Sequence, residues 1–142
     1  MRNLQRIAIL VLVLILGACS APGELTIEKA WIRPASAGQN SAAYFVIQNQ
    51  TASDDTLLNV SSEIAAATEV HMSMADANGV MSMQMQHSVA APARSAVEFK
   101  PGGLHIMFVN LAQDLKAGDT ITLTLNFEKA GSLTIPVPVK AP

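Results

Sequence analysis

Thr120-Ile121-Thr122-Leu123-Thr124-Leu125-Asn126-Phe127 places an apolar side chain at every second position with a polar one between. A period of two marks a β-strand with one face buried, because successive side chains on a strand point to opposite faces. The same alternation, or a short apolar run, recurs at 25–32, 42–48, 56–61, 68–74, 80–86, 95–99, 104–110 and 132–139. Turn formers separate these segments at 34–39, 49–55, Asn78-Gly79, Pro101-Gly102-Gly103, Gly118-Asp119 and Gly131. Eight or nine short strands at this spacing predict an all-β domain, an antiparallel Greek-key sandwich or barrel. The one helical candidate is a single turn at 63–67. Pro136 and Pro138 alternate in the last strand and place one side of it at a sheet edge, since proline cannot donate to a ladder.

The first eighteen residues read as an export signal. Arg2 and Arg6 supply positive charge, the run 7–16 is wholly apolar, and Leu16-Gly17-Ala18-Cys19 closes it with small residues. That run is shorter than the roughly 20 residues needed to span a bilayer. The organisation expected is a signal peptide at 1–18, a tether at 19–23 and one domain at 24–142. Leu16-Gly17-Ala18-Cys19 also resembles the bacterial lipobox, which implies cleavage before Cys19 and acylation of its thiol. Ser20 after that Cys resembles an outer-membrane sorting pattern, so a periplasm-facing, membrane-anchored lipoprotein is expected. Cys19 is the only cysteine, and acylation leaves neither a disulfide nor a thiolate ligand.

Beyond residue 18 there are seven basic and eleven acidic residues, a net charge near −4. A mildly acidic chain without basic clusters argues against nucleic acid as a partner.

The methionines and histidines carry the chemistry. Met72, Met74, Met81, Met83 and Met85 lie between His71 and His87, while Met107 follows His105 by two; beyond residue 18 there are no others. Methionines that merely fill a core have no reason to avoid every other strand. Thioether and imidazole suit soft Cu(I), whereas carboxylate and carbonyl suit Mg, Ca and Mn. An exported chain cannot rely on reduced thiolates, so methionine is its durable soft donor.

Strand periodicity groups these donors. His105 and Met107 share one face of their strand, and Met81, Met83, Met85 and His87 share one face of theirs. Residues 70–86 read as a hairpin turning at 75–79. A two-residue Asn78-Gly79 loop would place His71 on the face away from Met83. A three- or five-residue loop brings it onto the face of Met81, Met83 and Met85, because a one-residue slip flips every side chain. The odd-length loop is expected. Met72 and Met74 fall on the opposite face, where core packing is the better reading. Trp31, Tyr44 and Phe45 read as core or rim aromatics, and Glu69 and Asp76 as residues that tune the site or keep the hairpin soluble.

His71, Met83 twelve positions later, and the pair His105 and Met107 about twenty-two positions after that resemble the signature of periplasmic PCu(A)C-type copper chaperones. Glu69-Val70-His71, Gly79-Val80-Met81-Ser82-Met83 and Lys100-Pro101-Gly102-Gly103-Leu104-His105 are similar to the family's surrounding text, and the resemblance runs from about Leu25 to Val139. It implies a cupredoxin-like β-barrel that binds Cu(I) through those four residues. It also implies a copper-receiving partner, a cytochrome c oxidase subunit or another copper chaperone, with delivery toward the oxidase copper centre. Cu(II) is a second candidate ion. Met72, Met74, Met85 and His87 exceed the common pattern. Met81, Met85 and His87 are therefore auxiliary candidates, with two readings open: Met81 or Met85 replaces or assists Met83, or the extra groups form a second, weaker site.

Two other functions compete. A copper electron-transfer protein needs a Cys thiolate beside two His, and Cys19 is committed to the anchor. A structural or adhesive β-sandwich lipoprotein needs no metal at all. An enzyme is the least supported class, since no Ser, His and acid grouping and no paired carboxylates can be placed together.

Overall fold

In the computed structural model, which describes residues 23–141, the alternating segments fold as strands close to their expected bounds. The signal peptide, Cys19 and all of the tether but Gly23 lie outside the described residues. Ten strands follow in order: β1 (Leu25–Ile32), β2 (Ser41–Asn49), β3 (Asp55–Ser61), β4 (Ala65–Ala75), β5 (Met81–Met85), β6 (Val89–Ala91), β7 (Ser95–Phe99), β8 (Leu104–Leu111), β9 (Thr120–Phe127) and β10 (Gly131–Pro138). No helical turn forms at 63–67; Glu63 and Ile64 make a tight turn and β4 begins at Ala65. The three-residue β6 carries no periodicity that a sequence reading could detect.

Two sheets face each other. Six strands form one in the order β1-β2-β7-β8-β4-β5, and four form the other in the order β10-β9-β3-β6. The pairings are antiparallel except for β7 with β8, which meet in parallel at Phe99 and Leu104, and an isolated parallel bridge between Ile32 and Val139. β10 lies at a sheet end, as Pro136 and Pro138 require.

The inward faces supply the core. Ala43, Phe45 and Ile47 from β2, Val70 from β4, and Ile106 and Phe108 from β8 meet Leu57, Leu123, Leu125, Phe127 and Val137 from the second sheet. Ile121, Leu123, Leu125 and Phe127 are buried, while the intervening Thr and Asn residues point out. At the centre the rings of Phe45 and Phe99 stack with centroids 4.4 Å apart.

Asp55 ties the start of β3 to the β9–β10 turn. Its carboxylate accepts hydrogen bonds from the backbone N–H of Thr56 (2.7 Å), Lys129 (2.9 Å) and Ala130 (2.8 Å). Burial pushes its pKa up, but those three bonds and the charge of Lys129 outweigh it, and the net shift is downward. A carboxyl with a depressed native pKa contributes stability that is complete above its ordinary titration range, near pH 4, and is lost as pH falls through the native value. Chemical denaturation is therefore expected to show that Asp55→Asn costs about 1–3 kcal/mol at pH 7. The difference from the parent should shrink below pH 4.

Candidate metal centre

The β4–β5 hairpin turns through five residues. Its last paired positions are Ala75 with Met81, and Ser73 pairs with Met83 and His71 with Met85. The odd parity places His71, Ser73, Met81, Met83 and Met85 on one face. Asp76 sets that loop length. Its side chain accepts from the N–H of Asn78 (2.8 Å) and Val80 (2.9 Å), and Gly79 closes the turn at φ 80°. Asp76 is thus a turn former, an Asx device that outcompetes the bare Asn-Gly turn.

β8 lies on the other side of β4, with His71 opposite His105 and Glu69 opposite Met107. Ala42 of β2 pairs with Met107, so Tyr44 comes beside His105, with ring centroids 6.5 Å apart. Tyr44 is buried against Trp31 on this outer face, while Phe45 points into the core. The register thus brings donors from three strands to one face of the six-stranded sheet.

A cleft of about 420 Å³ opens there, lined among others by Met81, Met83, His105, Met107, Tyr44 and Arg33. His71 adjoins it, its ring centroid 5.8 Å from that of His105. His105 is buried, Met107 half-buried, and Met83 61% exposed. Met81 is the auxiliary candidate that lines the cleft, Met85 stands across from His71, and His87 is exposed just past β5. A roomier groove of about 600 Å³ between 61–64 and 120–124 is lined by hydroxyls and holds no soft donor.

Met72 and Met74 point to the opposite face, as parity demands. Met72 is half-buried, but Met74 is 47% exposed. The core reading fails for Met74 because the hairpin tip leaves it uncovered.

The hydrogen bonds decide which nitrogens are free. His71 Nε2 is 2.8 Å from Glu69 Oε2, and a carboxylate only accepts, so Nε2 carries the proton. His71 Nδ1 is buried and has no partner. His105 Nδ1 is 3.0 Å from the Gly103 carbonyl and must donate to it, which leaves Nε2 with the free lone pair. The Gly103 carbonyl is aimed by a β-turn with Pro101 at its second position and Gly102 at φ 79° at its third, closed by the Gly103 N–H on the Lys100 carbonyl (3.0 Å). The same carbonyl accepts from the Ser73 N–H at 3.1 Å, which fastens the turn to β4. In the neutral state each imidazole therefore offers one proton-free nitrogen. A carboxylate or a backbone carbonyl on the other ring nitrogen is the usual outer support of a metal-ligating histidine. The sequence offered Glu69 as a residue that tunes the site or keeps the hairpin soluble, without naming His71 as its partner; its spacing of two from His71 on one strand face was the available signal.

Residues 25–139 match the model of the LpqE-like lipoprotein family. The chain belongs to the LpqE-like family of PCu(A)C proteins. A relative from Leifsonia xyli subsp. xyli (strain CTCB07), named as a lipoprotein, Lxx21020, is 32% identical over 115 residues, 80% of this chain and 68% of that protein. Among solved structures, the copper-bound PCuAC domain from PmoF2 superposes with a TM-score of 0.70 at 28% identity, covering 86% of this chain and 97% of that domain. Cu(I)-DR1885 from Deinococcus radiodurans shares the fold, with a TM-score of 0.63 at 23% identity over 86% of this chain and 83% of that one. The LpqE-like chain therefore has the all-β sandwich expected of it.

Outer support of this kind contributes about 10- to 100-fold to metal affinity. Glu69→Gln keeps the shape, but its amide can donate to His71 Nε2 as well as accept from it, so the proton is no longer held on Nε2 and off Nδ1. Competition against a chromophoric chelator is expected to show Cu(I) affinity falling within that range while far-ultraviolet dichroism stays unchanged.

Proposed function

We propose that this LpqE-like protein is an exported copper metallochaperone that holds one Cu(I) through His71, Met83, His105 and Met107 and passes it to a copper-receiving protein. The observation that carries the reading is the pair of imidazoles 5.8 Å apart, each with one proton-free nitrogen, that of His71 buried and unpartnered. A metal at about 2 Å from each nitrogen lies about 3.2 Å from each ring centre. Two rings on one ion then sit about 5 to 6.4 Å apart, from tetrahedral to linear coordination, and 5.8 Å falls inside that range.

The donor set favours a soft monovalent ion. Two imidazoles and two thioethers are neutral, and the nearby carboxylate of Glu69 is engaged by His71. Met81, Met85 and His87 are auxiliary donors, Met81 the best placed because it lines the cleft. Exposed Met83 at the rim lets an incoming ligand displace it first, which suits transfer through a shared-ligand complex. Acylation at Cys19 would hold the protein at the periplasmic side of a membrane, and delivery toward the copper centre of cytochrome c oxidase is the route the family implies. We assign it no catalytic activity. Anaerobic Cu(I) titration of the purified chain against a chelator tests the reading. One ion per chain bound much more tightly than about 1 μM is expected; weaker binding would leave a tethered β-domain with a scaffold role.

A further inference from the structure

Sheet ends are places where a foreign strand can add, and folded proteins blunt them with charge, proline, bulges or shortness. Three of the four ends here are blunted. β1 carries Glu28 and Lys29 at a register shift, with Lys29 at φ 54°. β10 carries Pro136 and Pro138, and β6 is three residues long. β5 has no such device: 80–86 read Val-Met-Ser-Met-Gln-Met-Gln, without charge or proline, and every residue of the strand is exposed. The hairpin also carries Met74, Val80, Met81, Met83 and Met85, five of the six exposed large apolar side chains among the described residues.

The open groups of β5 can be read from its register. The Gln86 N–H donates to the Val70 carbonyl at 2.8 Å, so the even-numbered residues face β4. The N–H and C=O groups of Met81, Met83 and Met85 therefore face away from it. Met-Ser-Met-Gln-Met is nearly its own reverse.

We propose that two copies of this protein pair antiparallel through β5, centred on Met83, as a reversible two-fold dimer. In that register Met83 faces Met83, and Met81 of one copy faces Met85 of the other, each pair exchanging two backbone hydrogen bonds. Ser82 faces Gln84 as the close, non-hydrogen-bonded pair. No like charges oppose, and a self-complementary patch closes under two-fold symmetry without leading to fibres. A five-residue seam buries less than the roughly 1,000 Å² of a stable interface, so association is transient. Pairing itself needs no copper. Its consequence rests on the copper reading: both clefts lie on one face of a continuous sheet, with three thioethers from each copy in a row between them, a soft path for Cu(I) from copy to copy.

The full chain carrying Cys19→Ser, so that only introduced thiols react, provides the test. Ser82→Cys and Gln84→Cys forms, mixed in equal amounts under a mild metal-free oxidant, should give the 82–84 disulfide well above its statistical half. The non-hydrogen-bonded pair has Cα atoms about 4.5 Å apart, within disulfide reach. In sedimentation equilibrium, Gln84→Lys should weaken dimerisation of the Cys19→Ser chain at least tenfold. A statistical mixture of disulfides, or a monomer at all concentrations before any lysine is added, overturns the proposal. Cu(I) titration of Gln84→Lys keeps the two readings apart. Unchanged copper affinity with lost pairing in Gln84→Lys supports the dimer, whereas absent copper binding by the Cys19→Ser chain without the lysine, its pairing intact, counts against the copper reading alone.

Discussion

His105→Ala is expected to lower Cu(I) affinity by more than about 100-fold, the upper end of what loss of mere outer support removes. His105 is 5% exposed and sits in the row between Tyr44 and His71, its Nδ1–H held on the Gly103 carbonyl. Its free Nε2 is therefore aimed before any ion arrives, and no other imidazole can take its place, because His87 lies exposed beyond β5. Met83→Ala should behave differently. Met83 is 61% exposed and flanked two residues away on the same face by Met81 and Met85. Substitution by either thioether should hold the loss to about 10-fold, the value of one weak contact near 1.4 kcal/mol. Competition titrations of the two variants against one chelator check both numbers; equal losses would mean that donor redundancy on β5 has no effect.

Phe45→Ala is expected to destabilise the fold by about 3–5 kcal/mol. Phe45 is 1% exposed, lies on β2 opposite Phe99 of β7, and stacks on that ring at 4.4 Å. Removing it strips contacts from both sheets at once and leaves a cavity that the surrounding strands, fixed by their ladders, cannot close. Because small domains have only about 5–15 kcal/mol in total, the variant should stand near the limit of folding at 25 °C. Urea unfolding followed by dichroism, with the slope compared to the parent, reads the loss. Tyr44, one residue earlier, points to the cleft on the outer face, so its substitution should disturb the His105 environment more than the sandwich.

Much of this architecture was legible along the chain. The alternation at 120–127 or 104–110 reports burial directly, and the odd hairpin loop follows from requiring His71 to share a face with Met83. The turn at 63–67 was misread as helical because so short an apolar, alanine-rich piece fits either geometry, and β4 pairing settles it. Met74 was misread as core because parity gives the face of a residue but not whether the opposing sheet reaches that far. Asp76 reads along the chain as a residue that tunes the site or keeps the hairpin soluble; only the folded turn shows its carboxylate on the N–H groups of Asn78 and Val80.

By itself the order of residues determined the strand segments, the clustering of soft donors, and the family to which 25–139 belong. The first two depend on composition and local periodicity and the third on a resemblance in motifs along the chain, and all of these survive without knowledge of contacts. Tertiary structure alone decided that β4 lies between β5 and β8 and that Tyr44 covers His105. It also decided that Glu69 and Gly103 each take the proton-bearing nitrogen of a histidine. Those facts rest on pairings between strands distant in sequence and on single hydrogen-bond geometries, and neither leaves a periodic trace in the chain.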